Sequence, residues 1–179
     1  MHNKLLYIHG LGSDRNSRKF INLKDYFQDQ FEYDFVEWNN ESNISALLDS
    51  AEKWLISESE SQIVLIGDST GANFAYQLRE RLEEKNISPI LILTSPLLDI
   101  DDRIADFEFP KSILPQLEKI LNPKNALIIA SKHDEVLNQL PLFEKSLHNV
   151  ELLNVDDSHR LLNFENCLEA IESYIKSKS

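Results

Sequence analysis

Gln62-Ile-Val-Leu-Ile-Gly-Asp-Ser-Thr-Gly-Ala-Asn-Phe-Ala75 is the stretch that decides the fold. Gln62 to Ile66 reads as a buried strand, and about Thr70 to Lys85 as a helix presenting Phe74, Leu78 and Leu82 on one face. Between them lies Gly67-Asp68-Ser69-Thr70-Gly71, a G-x-S-x-G turn with the strand before it and the helix after it that a nucleophile elbow requires. A serine on so sharp a turn must take a strained backbone conformation. Glycines two positions before and after it remove side chains that would strike the neighbouring strand and helix. The hydroxyl then points out above the sheet, close to the first N–H groups of the helix. Only four glycines occur in the chain, Gly10, Gly12, Gly67 and Gly71, and they fall in two short turns that each follow an apolar run. The plain alternative is a βα turn that happens to contain a serine.

Outward from this centre the same alternation repeats. Lys4 to His9, Glu32 to Trp38, Ile90 to Thr94, Ala126 to Ala130 and Val150 to Val155 read as five further strands. Ile90 to Thr94 is unbroken in apolar character, as a central parallel strand covered on both faces should be. Helices are expected over about Arg18 to Gln30, Ser42 to Ser57, Ser112 to Leu121, Glu135 to Leu147 and Glu165 to Lys176. Strand and helix in turn predict an α/β fold, a three-layer sandwich on a mainly parallel six-stranded sheet. With 179 residues and no internal linker, one domain spanning residues 1–179 is expected.

Composition narrows the partners. The net charge is −12, from 30 acidic and 18 basic residues, and no basic block interrupts it, which argues against nucleic acid and anionic membranes. The single cysteine, Cys167, allows neither a disulfide framework nor a thiolate zinc site and reads as a small core residue. The N-terminal stretch enters a strand at once, without the features of a signal peptide, and no run is long enough to span a bilayer, so a cytoplasmic protein is expected.

In a parallel sheet the loops leaving the carboxyl ends of the strands gather at one edge. Here those loops carry His9-Gly10-Leu11-Gly12-Ser13, Ser69, His133-Asp134-Glu135 and Asp156-Asp157-Ser158-His159. A serine hydroxyl needs a base to become a nucleophile at neutral pH, and an imidazole needs a carboxylate to fix its tautomer. The order Ser, Asp, His assigns Ser69 as nucleophile, Asp134 as orienting acid and His159 as base. Asp99, Asp101 and Asp102, after the fourth strand, are rival acids. The backbone N–H groups of Leu11 and Thr70 are the candidate oxyanion donors. Of the remaining histidines, His2, His133 and His148 are set aside, and His9 is expected to order the loop after the first strand. Asp156 and Asp157 read as loop caps, and Asp14 with Arg15 as a solvated loop at the mouth.

Tyr7-Ile-His-Gly-Leu-Gly-Ser13, Gly67 to Ala75, His133-Asp-Glu-Val-Leu137 and His159-Arg-Leu-Leu-Asn-Phe-Glu165 together resemble the small YqiA-type esterases of the α/β-hydrolase superfamily. The resemblance runs over nearly the whole chain. It implies a minimal α/β hydrolase without a cap domain, hydrolysis of acyl esters, and Ser69, Asp134 and His159 at the matching catalytic positions. In two places the chain departs from the family pattern: Ala72-Asn73 stand where the family commonly has two small residues, and His133 where it has a glycine before the acid. The expected activity is cleavage of a carboxylic ester or thioester of a small soluble molecule, with no metal or organic cofactor needed. The alternative is a hydrolase-like fold kept as a protein-binding module. Leu97 to Lys111 is expected to form one flap whose Leu97, Leu98, Ile100, Ile104, Phe107 and Phe109 line the acyl site, and its acidic residues point to uncharged substrates.

Overall fold

The computed structural model describes residues 3–57 and 62–178; Met1 and His2 therefore lie outside the described residues. Strands β1 (Asn3–Ile8), β2 (Phe31–Val36), β3 (Ile63–Asp68), β4 (Ile90–Thr94), β5 (Ala126–Ala130) and β6 (Val150–Asn154) form one sheet in the order β2-β1-β3-β4-β5-β6. Every neighbouring pair is parallel. The elbow strand β3 thus lies in the middle of the sheet, where its carboxyl end meets loops from both sides.

Alternating side chains divide the core into two layers. Leu6, Ile8, Leu65, Leu91, Leu93 and Ile128 pack on α2 (Ile44–Leu55) and α3 (Thr70–Glu83). Leu5, Tyr7, Val64, Ile66, Ile92 and Ile129 pack on the opposite face against α1 (Arg18–Phe27) and α5 (Leu168–Ser177). A short helix, α4 (Leu140–Glu144), joins the α2–α3 side through Leu142. Apolar residues at successive strand positions therefore serve both layers, which is why the central strands read as unbroken hydrophobic runs. Cys167 is buried in the second layer.

Two expected helices are largely absent. In place of Ser112 to Leu121 there is a single 3₁₀ turn, Leu114–Gln116. Past that turn backbone groups pair at long range instead of along a helix: Glu118 N–H donates to Asn73 Oδ1 and Ile120 N–H to the Leu98 carbonyl. Over Glu135 to Leu147, Asp134 Oδ1 takes the N–H groups of Val136 and Leu137, and Asn138 N–H goes to the Asp102 carbonyl. Only α4, with a proline in its first turn, remains.

The expected flap is replaced by an anchored strap. Leu97, Leu98 and Phe109 are buried in the core, whereas Ile104 and Phe107 point to solvent. Buried Asn73 holds the start of the strap and the segment that follows it, donating to the carbonyls of Leu97 (3.1 Å) and Glu118 (2.8 Å). Arg103 and Leu137 form an antiparallel bridge that ties its middle to the loop after β5. No cap domain stands over the sheet edge among the described residues.

Candidate active site

The elbow is built by close approach. A Cβ on Gly67 would sit 2.5 Å from Ala72 Cα and 2.7 Å from Ala75 Cβ, inside α3. A Cβ on Gly71 would collide with the carbonyl oxygens of Ile8 and His9 at the end of β1. The two glycines thus let the strand and the helix pack on opposite sides of Ser69. Ser69 itself has φ 52° and ψ −115°, a conformation that L-residues rarely adopt. It is held there by Ser69 N–H to the Thr94 carbonyl (2.9 Å) and by Leu97 N–H to the Ser69 carbonyl (3.0 Å).

From Ser69 a chain of hydrogen bonds crosses the sheet edge. Ser69 Oγ lies 2.9 Å from His159 Nε2, and His159 Nδ1 lies 2.8 Å from Asp134 Oδ2. Asp134 is buried and His159 nearly so, with side-chain exposures of 0% and 13%. Burial alone would raise the Asp134 carboxyl, but the His159 imidazole and the N–H groups of Leu137 and Val136 outweigh it and hold it below the usual carboxylate range. Asp134 is therefore a carboxylate at neutral pH, which fixes Nδ1 as the protonated nitrogen and leaves Nε2 to accept from the serine. The rival acids are engaged elsewhere: Asp99 and Asp101 pair with Lys119 at 2.7 and 3.0 Å, and Asp102 makes no bond to His159. His133 is exposed and leaves the acid uncrowded.

The loop carrying His159 is fastened on several sides. Glu135 Oε2 accepts its N–H (2.9 Å), and Ser95 Oγ donates to its carbonyl (2.8 Å). Asp157 caps the loop through the N–H groups of Ser158, Leu162 and Asn163, while Asp156 is exposed. The guanidinium of Arg18 donates to the carbonyls of Arg160, Leu161 and Leu162. Gln139, buried, donates to the Pro96 carbonyl (3.2 Å) and approaches Asp134 Oδ2 at 3.5 Å.

His9 neither reaches Ser69 nor is free. Its Nδ1–H donates to the Gly10 carbonyl (2.7 Å), its Nε2 accepts the Trp38 N–H (3.0 Å), and its ring stacks between Phe35 and Trp38. Because a backbone N–H can only donate, Nε2 must be unprotonated and His9 neutral. Burial indeed lowers its pKa from the ordinary 6.5, against the opposing pull of the Gly10 carbonyl and nearby carboxylates. The unfolded chain then binds this proton more readily than the folded one. The stability that neutral His9 contributes is complete above the ordinary value and is lost as pH falls below it, toward the folded value. Urea midpoints should fall more between about pH 7 and pH 5 for the wild type than for His9→Asn. Equal declines in the two proteins would contradict this.

The ordered loop lies against the elbow, since a Cβ on Gly10 would come within 3.1 Å of Ser69 Cβ. Neither the Leu11 N–H nor the Thr70 N–H has an acceptor among the described residues. Both are thus available to a negative charge developing beside Ser69. An open cleft of about 430 Å³ adjoins Ser69, lined by residues 10–14 and 16–19 with Asp68, Ser69, His159 and Arg160. No strap residue lines it, so the apolar acyl site expected over Leu97 to Lys111 is not there. Asp14 does border this mouth; Arg15, beside it, pairs with Glu37 at 3.3 Å in an exposed ion pair.

Several supporting residues escaped the sequence reading. Lys19, buried, pairs at 2.5 Å with Asp68, whose Oδ1 also accepts the Thr94 hydroxyl (2.7 Å). One signal was present: Lys19 falls four residues before Leu23, on the apolar stripe of α1, where a lysine needs a buried anion. Gln139 and Ser95 carried no comparable signal, because neither is a charged residue on an apolar stripe that would call for a buried partner. Among the described residues, no group of three His, Cys, Asp or Glu side chains is placed to hold a metal ion, and no helix is long and apolar enough to cross a membrane.

Compared with solved structures, the chain is similar to MGS-MChE2, an α/β hydrolase enzyme from the metagenome of sediments from the lagoon of Mar Chica, Morocco. The TM-score is 0.73 at 15% identity, over 99% of this chain and 92% of that one. It is similar also to the type II thioesterase BorB from the borrelidin biosynthetic cluster, with a TM-score of 0.72 at 12% identity over 98% and 92% of the two chains. For Est1E from Butyrivibrio proteoclasticus the values are 0.68, 16%, 98% and 88%. At such identities the likeness establishes the α/β-hydrolase fold. No curated protein matches the chain. The profile of the uncharacterised protein family UPF0227 matches residues 4–176, and the chain belongs to that family, the YqiA-type family its motifs resemble.

Proposed function

We propose that the protein is a serine hydrolase that cleaves a carboxylic ester or thioester of a small molecule through an acyl-enzyme on Ser69. One observation carries this: the unbroken run Asp134 Oδ2, His159, Ser69 Oγ, with steps of 2.8 and 2.9 Å, beside two backbone N–H groups without acceptors among the described residues. The similar structures, a thioesterase and an α/β hydrolase enzyme among them, favour the same class.

In this reading Ser69 Oγ attacks the carbonyl carbon while its proton passes to His159 Nε2. The carbonyl oxygen takes up negative charge and accepts the Leu11 and Thr70 N–H groups. Breaking the bond to the leaving group, which takes the proton from Nε2, yields the acyl-enzyme and free alcohol or thiol. Water then attacks the acyl carbon, giving its proton to Nε2; the Ser69 oxygen recovers a proton from Nε2 as the carboxylic acid departs. Throughout, Asp134 stabilises the imidazolium without taking its proton.

The acyl-enzyme is tested by partitioning. Two esters that share an acyl group but differ in alcohol should give one common ratio of methyl ester to free acid in water–methanol mixtures, because both pass through the same intermediate. A ratio that changes with the alcohol would overturn the mechanism.

A further inference from the structure

The lining of the cleft at Ser69 runs against the composition of the chain. The protein carries a net charge of −12, yet the cleft collects Arg18, Lys19 and Arg160 against Asp14 and Asp68. Lys19 and Asp68 cancel one another in their 2.5 Å pair. Arg18 spends its donors on main-chain carbonyls, which satisfy its hydrogen bonds and leave its charge uncompensated. Asp14 accepts the Asn16 N–H and pairs with no cation among the described residues. The exposed Arg160 side chain has neither an ion pair nor a hydrogen bond among the described residues. Two guanidinium charges therefore stand against one carboxylate around the mouth. Glu135 and Asp157 bond backbone N–H groups of the same loop and do not line the cleft.

Aliphatic side chains are scarce there. Leu11, half-buried, is the one aliphatic residue in the lining, and none of the strap's hydrophobic residues belongs to it. A long acyl chain would find little to cover it. An anion would find a free guanidinium on the residue that follows the base. A planar fork of N–H donors suits a carboxylate or a phosphate oxygen pair.

We infer that the cleft takes esters bearing a carboxylate or phosphate anion, that Arg160 binds this anion, and that Arg18 adds to the attractive field. The inference rests on the proposed hydrolysis at Ser69 and reverses the uncharged substrates expected from the acidity of the chain as a whole. Net charge governs the distant field, which salt screens beyond about 8–10 Å; the group beside the scissile bond meets the local charges instead.

Matched substrates test it. The first arm compares 4-nitrophenyl hydrogen glutarate with 4-nitrophenyl butyrate, placing the anion in the acyl half. The second compares 4-phosphophenyl butyrate with phenyl butyrate, placing it in the leaving group. In at least one arm the anionic ester should have a kcat/KM about tenfold higher, the scale of one charge-assisted hydrogen bond. Arg160→Gln should remove most of that preference, Arg160→Glu should invert it, and salt should weaken it in the wild type. The arm that responds identifies the half that Arg160 reads. No preference in either arm, or a preference that Arg160→Gln leaves intact, overturns the inference while hydrolysis itself stands. If no ester is turned over, the proposed function fails separately. Calorimetric binding of the same ester pairs to Ser69→Ala protein then reads the anion preference without catalysis, and equal affinities for charged and neutral partners overturn it.

Discussion

Replacing Ser69 by alanine is expected to lower ester hydrolysis by about 10⁴-fold or more while leaving the fold unchanged, as removal of the nucleophile does in serine-protease triads. Ser69 contributes a hydroxyl that bonds His159 Nε2 and a backbone that bonds Thr94 and Leu97. Alanine removes the first and keeps the second, so the strained turn and the N–H groups of Leu11 and Thr70 stay in place. The measurement is kcat/KM on one ester alongside the urea midpoint of the same preparations. Unchanged stability with activity near wild type would remove Ser69 from the mechanism.

The second large effect is expected at the acid. Asp134 Oδ1 accepts two backbone N–H groups, at 2.8 Å from both Val136 and Leu137, so the asparagine of Asp134→Asn must leave its own oxygen there. Its amide nitrogen then falls where Oδ2 was, 2.8 Å from His159 Nδ1, and donates to that atom. The imidazole is driven to the Nε2–H tautomer, which has no lone pair for the serine proton. Gln139 Nε2, now facing another donor, adds to the mismatch. A fall of roughly 10⁴ in kcat is expected, by analogy with the same change in a serine protease. Asp99→Asn and Asp101→Asn, which meet Lys119 instead, should change kcat less than about threefold. The opposite pattern would move the acid to the loop after β4.

What the sequence revealed and what it hid have different physical origins. Around Ser69 the demands leave a short signature: Gly67 is required by collisions within the turn and the first turn of α3, Gly71 by the approach of β1, and the strands are marked by apolar runs. The meeting of Ser69, Asp134 and His159 was legible because each leaves the carboxyl end of a parallel strand, where topology gathers such residues. The strap was not. Its apolar residues suit a flap as well as they suit a core, and the decision rests on Asn73, which from α3 satisfies the carbonyls of Leu97 in the strap and Glu118 beyond it. The missing helix over Ser112 to Leu121 has the same origin, since Asn73 and Leu98 capture the groups a helix would use. Gln139 and Arg18 act across long stretches of chain, on Pro96 and on the loop after His159, and no local pattern announces such a bond.

Reaction with a fluorophosphonate probe tests the central claim most directly, because the probe needs a serine that its base has activated and not merely one that is present. The account predicts one covalent adduct per chain, mapped by mass spectrometry to the peptide carrying Ser69, absent from Ser69→Ala and formed far more slowly by His159→Ala. A folded wild-type protein that forms no adduct, or an adduct mapped to a different serine, would contradict it.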